Sequence, residues 1–146
     1  MKKILFVCPY PFGVAAGQRL KFEPHFERLR EEGYEIQISS FMSKKLWEIA
    51  SIKGFLFQKI FWTLYGLLKR IKLIFSLKQF DCVYIFMNVF PFGPPIFERI
   101  YLGLSKKVIF DIEDNILIEE TGSVNWLASI LKSKRKYIIC GDWNIA

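Results

Sequence analysis

Two clusters in this sequence combine residue types that do chemistry. The first is the stretch Pro9 to Arg19, which holds Gly13, Gly17, Gln18 and Arg19. The apolar run Ile4 to Cys8 ahead of it reads as a buried strand, and the basic stretch behind it as the start of a helix. A strand that feeds through such a loop into a helix start presents bare N–H groups and a positive dipole end to a phosphate. Gly13 and Gly17 would let the backbone approach the anion, while Gln18 and Arg19 would add donors, the guanidinium bonding two oxygens at once. Proline and glycine also serve simply to turn a chain, and G-x-x-x-G is neither the dinucleotide fingerprint nor a P-loop. The second cluster is Asp111, Glu113 and Asp114, at the end of an apolar run. In an extended strand Asp111 and Glu113 share a face, so their repulsion would raise one pKa and favour a carboxylate that orients or deprotonates a hydroxyl. Acids at a strand end also solvate the edge or cap the next turn, and D-x-E-D superficially matches a divalent-ion motif.

A third cluster is basic and aromatic. Between Lys44 and Lys78 there are eight basic residues against one acid, Glu48, so this stretch carries the whole net charge of +7. Gly54 to Leu68 contains a single charge, Lys59, and KRIK follows. A bilayer span takes about 20 apolar residues, more than this run has, so a transmembrane helix is not expected. Phe57, Phe61 and Trp62 beside Lys69, Arg70 and Lys72 instead suit a helix lying in an anionic membrane interface. A buried core helix with a basic end is the plainer alternative. No DNA- or RNA-binding motif accompanies the basic surface, so nucleic acid is not an expected partner.

The elements that must position these residues alternate. Phe22, Phe26 and Leu29 recur on one helical face that ends at Gly33, with Pro24 either starting or kinking the helix. Tyr34 to Phe41 alternates as a second strand, and Ser43 to Gln79 reads as a helical stretch inserted before the third. Cys82 to Met87 is a continuous apolar run suited to a central parallel strand. PFGPP (Pro91 to Pro95) is a rigid loop, Ile96 to Leu104 a helix, and Val108 to Ile112 a fourth strand. A last helix is expected over Val124 to Ile139, with a fifth strand beginning at Asp142. The pattern β-α-β-α-β-α-β-α-(β) predicts one α/β domain with a parallel sheet and flanking helices, Rossmann-like, binding ligands beyond the carboxyl ends of its strands.

Several segments, in order, resemble the N-terminal domain of a GT-B-fold glycosyltransferase of family four, of the bacterial surface-polysaccharide kind. They are ILFVCPYPFGVAAGQRLKFE, LREEGYEI, FMSKKLW, FPFGPPIFE, KVIFDIEDNI and the closing KYIICGDWNIA. The resemblance implies transfer of a sugar from a nucleotide-sugar, as co-substrate, to a polysaccharide or lipid-linked acceptor. It places Gly13, Gly17, Gln18 and Arg19 toward the donor diphosphate, and Asp111, Glu113 and Asp114 on the acceptor side as the catalytic candidates. It implies no cofactor and no metal. The family's nucleotide-binding half, with its paired glutamates, does not follow in this sequence, so residues 1–146 read as an incomplete GT-B N-terminal domain, inactive alone. A non-enzymatic, membrane-associated Rossmann-like binding module is the competing expectation.

The remaining residues narrow the setting. Cys8, Cys82 and Cys140 are odd in number and far apart, which argues against disulfides or zinc and for a reducing compartment. The apolar run after Lys2 and Lys3 is too short for a signal-peptide core. A cytoplasmic protein, peripheral on the inner face of the plasma membrane, is the expectation. His25, the single histidine, sits where a surface or packing role suits it better than a base. Cys8 is expected to be a buried small apolar residue.

Overall fold

A computed structural model describes residues 2–90, 96–112 and 137–141. Five strands, β1 (Lys2–Cys8), β2 (Tyr34–Ser40), β3 (Cys82–Phe86), β4 (Val108–Ile112) and β5 (Tyr137–Gly141), form one sheet. Its order is β2-β1-β3-β4-β5, and every pairing is parallel. The expected α/β architecture with helices against a parallel sheet is therefore present.

The alternation of side chains along each strand supplies two apolar faces. Leu5 and Val7 of β1, Val83 and Ile85 of β3, and Val108 and Phe110 of β4 pack on one face. Phe6 and Cys8 of β1 and Phe86 of β3 pack on the other. Strands covered on both sides must be apolar at nearly every position, which is why β1 and β3 read as unbroken runs.

Helices α1 (Ala16–Lys21) and α2 (Phe26–Glu31) cover the second face through Phe22, Phe26 and Leu29. Pro24 sits in a single 3-10 turn between them, so it separates two short helices rather than kinking one. Helix α3 (Lys44–Ala50) starts at Ser43, whose hydroxyl accepts the Leu46 amide at 3.1 Å. Helix α4 (Leu56–Ile74) then crosses the first face, and α5 (Ile96–Leu104) lies beside it. Leu73 and Leu77 join the core with Tyr101 and Leu102, so the end of the 44–79 segment is core rather than appendage.

One expectation is refined and one corrected. The helical region expected over 43–79 is present as α3, α4 and a 3-10 turn (Leu77–Gln79), with α3 and α4 separated where Gly54 (φ +94) and Phe55 (φ +54) turn left-handed, a backbone that glycine adopts freely. Tyr137, Ile138 and Ile139, expected at the end of the last helix, instead pair with Val108, Ile109 and Phe110 as β5. The run Tyr-Ile-Ile-Cys has strand-forming residues, and ladder bonds to β4 decide its state. Pro91 to Pro95, the stretch 113–136 and the tail from Asp142 lie outside the described residues.

Candidate functional site

The connections from the sheet reverse direction between β1 and β3, since β1 leads to β2 on one side and β3 to β4 on the other. In open α/β sheets ligands bind at the carboxyl ends of the strands beside such a reversal. The chain leaving β1 at Pro9 and the chain leaving β3 at Met87 border this edge. Met87 itself is left-handed (φ +63), and its amide donates to the Asp111 carbonyl at 2.8 Å.

The opening loop is pinned from inside. The Gln18 side chain is fully buried; its Oε1 accepts the Tyr10 amide at 3.0 Å and its Nε2 donates to the Tyr10 carbonyl at 3.2 Å. The Glu23 carboxylate accepts the Gly13 amide at 3.1 and 3.2 Å to its two oxygens. Gln18 thus shapes the loop and does not offer donors at the surface, which corrects its reading as a phosphate ligand. Gly13 is exposed, but its N–H already faces an internal carboxylate. Arg19 is exposed, and Gly17 is half-buried in the first turn of α1.

Asp111 is buried at the carboxyl end of β4, where Oδ1 meets Lys21 Nζ at 3.2 Å and Oδ2 accepts a hydrogen bond from the Tyr84 hydroxyl. Lys21 Nζ also stands 5.8 Å from the centre of the Phe86 ring. The expected interplay of Asp111 with Glu113 falls outside the described residues, as do Glu113 and Asp114. What the structure brings to Asp111 is a cation and a phenol, neither of which sequence reasoning named. An apolar cavity of about 240 Å³ lies beside this group, lined by Phe6, Phe22, Tyr84 and Ile109 with Lys21 and His25 among its walls. No group of three or more His, Cys, Asp or Glu side chains placed to hold a metal ion occurs among the described residues.

Arg70 departs furthest from expectation. It is fully buried, so it is not a membrane-contact residue. Its Nε donates to Val89 O at 2.9 Å, Nη1 to Ser39 O and Oγ at 2.9 and 2.8 Å, and Nη2 to Cys8 O at 2.7 Å. One guanidinium therefore ties α4 to the ends of β1 and β2 and to the chain leaving β3. On the far side of Val89, Glu98 Oε1 accepts the amides of Val89 at 2.9 Å and Phe90 at 3.3 Å. Tyr101 donates its hydroxyl to the Arg70 carbonyl at 2.9 Å, and burial pushes that phenol up to about 12. Burial also pushes the Cys8 thiol up to about 12, which fits an inert core residue and not a nucleophile.

The other proposed membrane residues are at the surface. Phe57 is 88% exposed and Phe61 62%, Trp62 is half-buried, and Lys69 and Lys72 are exposed. Trp62 lies 5.4 Å from Lys45 Nζ and meets Phe61 and Tyr65 edge to face. Sequence reasoning missed the rest of this face. Phe57, Phe61, Leu64, Leu68, Ile71 and Phe75 are all exposed and recur at alternating intervals of four and three, so they form one stripe along α4. That spacing was readable, but it does not say whether a stripe faces core or solvent.

Gly66 of α4 packs against Phe41, just after β2, and residues 56–65 ahead of it make about 15 Å of helix. They run beside α3 at the edge of the sheet that carries the opening loop, where Tyr10 stacks edge to face on Trp47 at 5.3 Å. Among the described residues no helix is long and apolar enough to cross a membrane. Neither models of known protein families nor curated proteins match this chain.

Proposed function

We propose that this chain is the acceptor-side part of a glycosyltransferase that works while docked on an anionic membrane surface, on the cytoplasmic face. The observation that carries the reading is the exposed apolar stripe of α4, Phe57 to Phe75, set in a segment rich in lysine. A stripe of this length on a free protein surface calls for a partner. Partial burial of six such side chains contributes on the order of 5–10 kcal/mol. Lysines near an anionic leaflet add about 1 kcal/mol each. A second copy of the chain would bring like charge to the stripe, so lipid is the better-matched partner. Because α4 packs on α3, and Trp47 of α3 meets Tyr10 of the opening loop, a lipid-linked acceptor held in the same surface would be close to that loop.

The sugar-transfer half of the reading rests on the resemblance of the ordered segments to family-four glycosyltransferases. Within it, Gly17 and Arg19 keep their proposed place toward a donor diphosphate, and Asp111 with Lys21 and Tyr84 borders the acceptor side. The engaged Gly13 amide and buried Gln18 favour the second reading, a membrane-associated binding module without catalysis. Co-sedimentation with phosphatidylcholine vesicles, with and without phosphatidylglycerol, tests the docking. Binding only to anionic vesicles, lost in F57S/F61S/L68S, is expected; no binding at low salt refutes it. Titration of the labelled chain with a nucleoside diphosphate sugar separates the two readings: amide shifts at Gly17 and Arg19 support transfer, and their absence supports the module.

A further inference from the structure

A cavity of about 220 Å³ lies between the edge strand β2 and the second half of α4, lined by Gln37, Ser39, Lys69, Lys72, Leu73 and Ser76 together with Ile38. We propose that this cavity binds the phosphate of an anionic lipid headgroup, as the specific contact within the docking surface described above. The inference rests on that membrane reading.

Charge is the first support. Lys69 and Lys72 are one turn apart on the same face of α4, so their ammonium groups reach a shared space. Among the described residues neither meets a carboxylate. Lys69 gives one donor to Ser40 O at 2.9 Å, which fixes its position and leaves two donors. Lys72 makes no hydrogen bond among the described residues. The buried Arg70 guanidinium adds positive potential at Lys69. A phosphate bridging the two lysines would form charge-assisted hydrogen bonds and give both ammonium groups a counter-ion.

Shape and position are the second support. Pockets for drug-sized ligands start near roughly 300 Å³, so this cavity is too small for a nucleotide-sugar and suits a headgroup. Leu73 and Ile38 give it apolar wall that glycerol carbons could cover. Lys69, Lys72 and Ser76 form the row of α4 next to Leu68, Ile71 and Phe75, so the cavity opens along the flank of the apolar stripe. With the stripe at the acyl boundary, that flank lies at the level of lipid phosphates.

The test compares two double variants of the full chain that remove equal charge from the same basic segment, K69Q/K72Q and K44Q/K45Q. Diffuse attraction alone would weaken binding to phosphatidylcholine–phosphatidylglycerol vesicles alike in both, whereas a phosphate site weakens K69Q/K72Q by about tenfold more. The single variant K72Q, which removes no hydrogen bond among the described residues, carries the comparison if the double variant unfolds. Soluble glycerol phosphate provides the second arm, read by amide shifts at Lys69 to Ser76. Shifts there, together with competition against vesicles, are expected. Equal losses in the two double variants overturn the pocket while leaving membrane docking intact. Glycerol phosphate shifts in a chain that binds no vesicles would overturn the lipid as source and sink the docking reading with it.

Discussion

Replacing Arg70 by methionine keeps the packing of the side-chain stem and removes the guanidinium. The magnitude follows from what each acceptor has left. Cys8 O still accepts the Phe41 amide at 2.9 Å, so it stays satisfied. Among the described residues, Val89 O loses the one side-chain donor it has, at a cost of about 1–3 kcal/mol for a buried orphan. Ser39 loses donors at both its carbonyl and its hydroxyl. Glu98, 4% exposed, loses the cation that lies across Val89 from it. Together these give a loss of about 4 kcal/mol, within the 3–5 kcal/mol typical of breaking a buried charged group's contacts from one side. Against a total stability of roughly 5–15 kcal/mol, the variant should be near its folding limit at ambient temperature. Urea unfolding followed by circular dichroism measures the change, and R70K, with fewer and differently placed donors, should fall between the two. A loss below about 1 kcal/mol for R70M would refute the reasoning that this guanidinium holds the strand ends together.

Gly66 and Gly103 should respond to alanine with opposite signs. A Cβ at Gly66 would stand 2.8 Å from Phe41 O and 3.1 Å from its ring, so overpacking of about 1–3 kcal/mol should outweigh the helix-propensity gain of about 1 kcal/mol. Gly103 in α5 is exposed and meets nothing within 4 Å, so G103A should raise the melting temperature while G66A lowers it. Asp81 accepts the Lys3 amide at 2.9 Å and Lys106 Nζ at 3.2 Å, which hold its carboxyl below the usual range. A depressed folded-state pKa gives stability that is full above the unfolded value of about 3.9 and lost as pH falls through the folded one. D81N should therefore be less stable than the parent at neutral pH, and the two should converge in acid denaturation series.

Legibility in the sequence followed how local each determinant was. The bounds of β4 and α5 were readable because an apolar run or periodic face there is set off by Lys107, a proline pair or a serine. The region Ser43 to Gln79 read as helical, but where it breaks, at Gly54 and Phe55, depends on a left-handed backbone that composition does not show. Arg70 in KRIK looks like any lysine-rich helix end, because what buries it are carbonyls 62, 31 and 19 residues away. The partners of Asp111 are similarly distant, Lys21 by 90 residues and Tyr84 by 27. Spacing in sequence named the acid but not the groups that engage it. The loop reads as a special turn, yet its internal anion, Glu23, is visible only once α1 and the 3-10 turn fold back on Gly13.

The central claim is that the α4 stripe lies in the interface of an anionic membrane. Its most direct measurement is the spin-label accessibility of a nitroxide placed in turn at Leu64, in the stripe, and at Gln37, in the wall of the cavity, with the chain on phosphatidylcholine–phosphatidylglycerol vesicles. The account predicts that the label at 64 gains access to oxygen and loses access to a water-soluble nickel complex. The label at 37 should report headgroup depth. A label at 64 that stays fully accessible to the nickel complex on those vesicles would contradict the account.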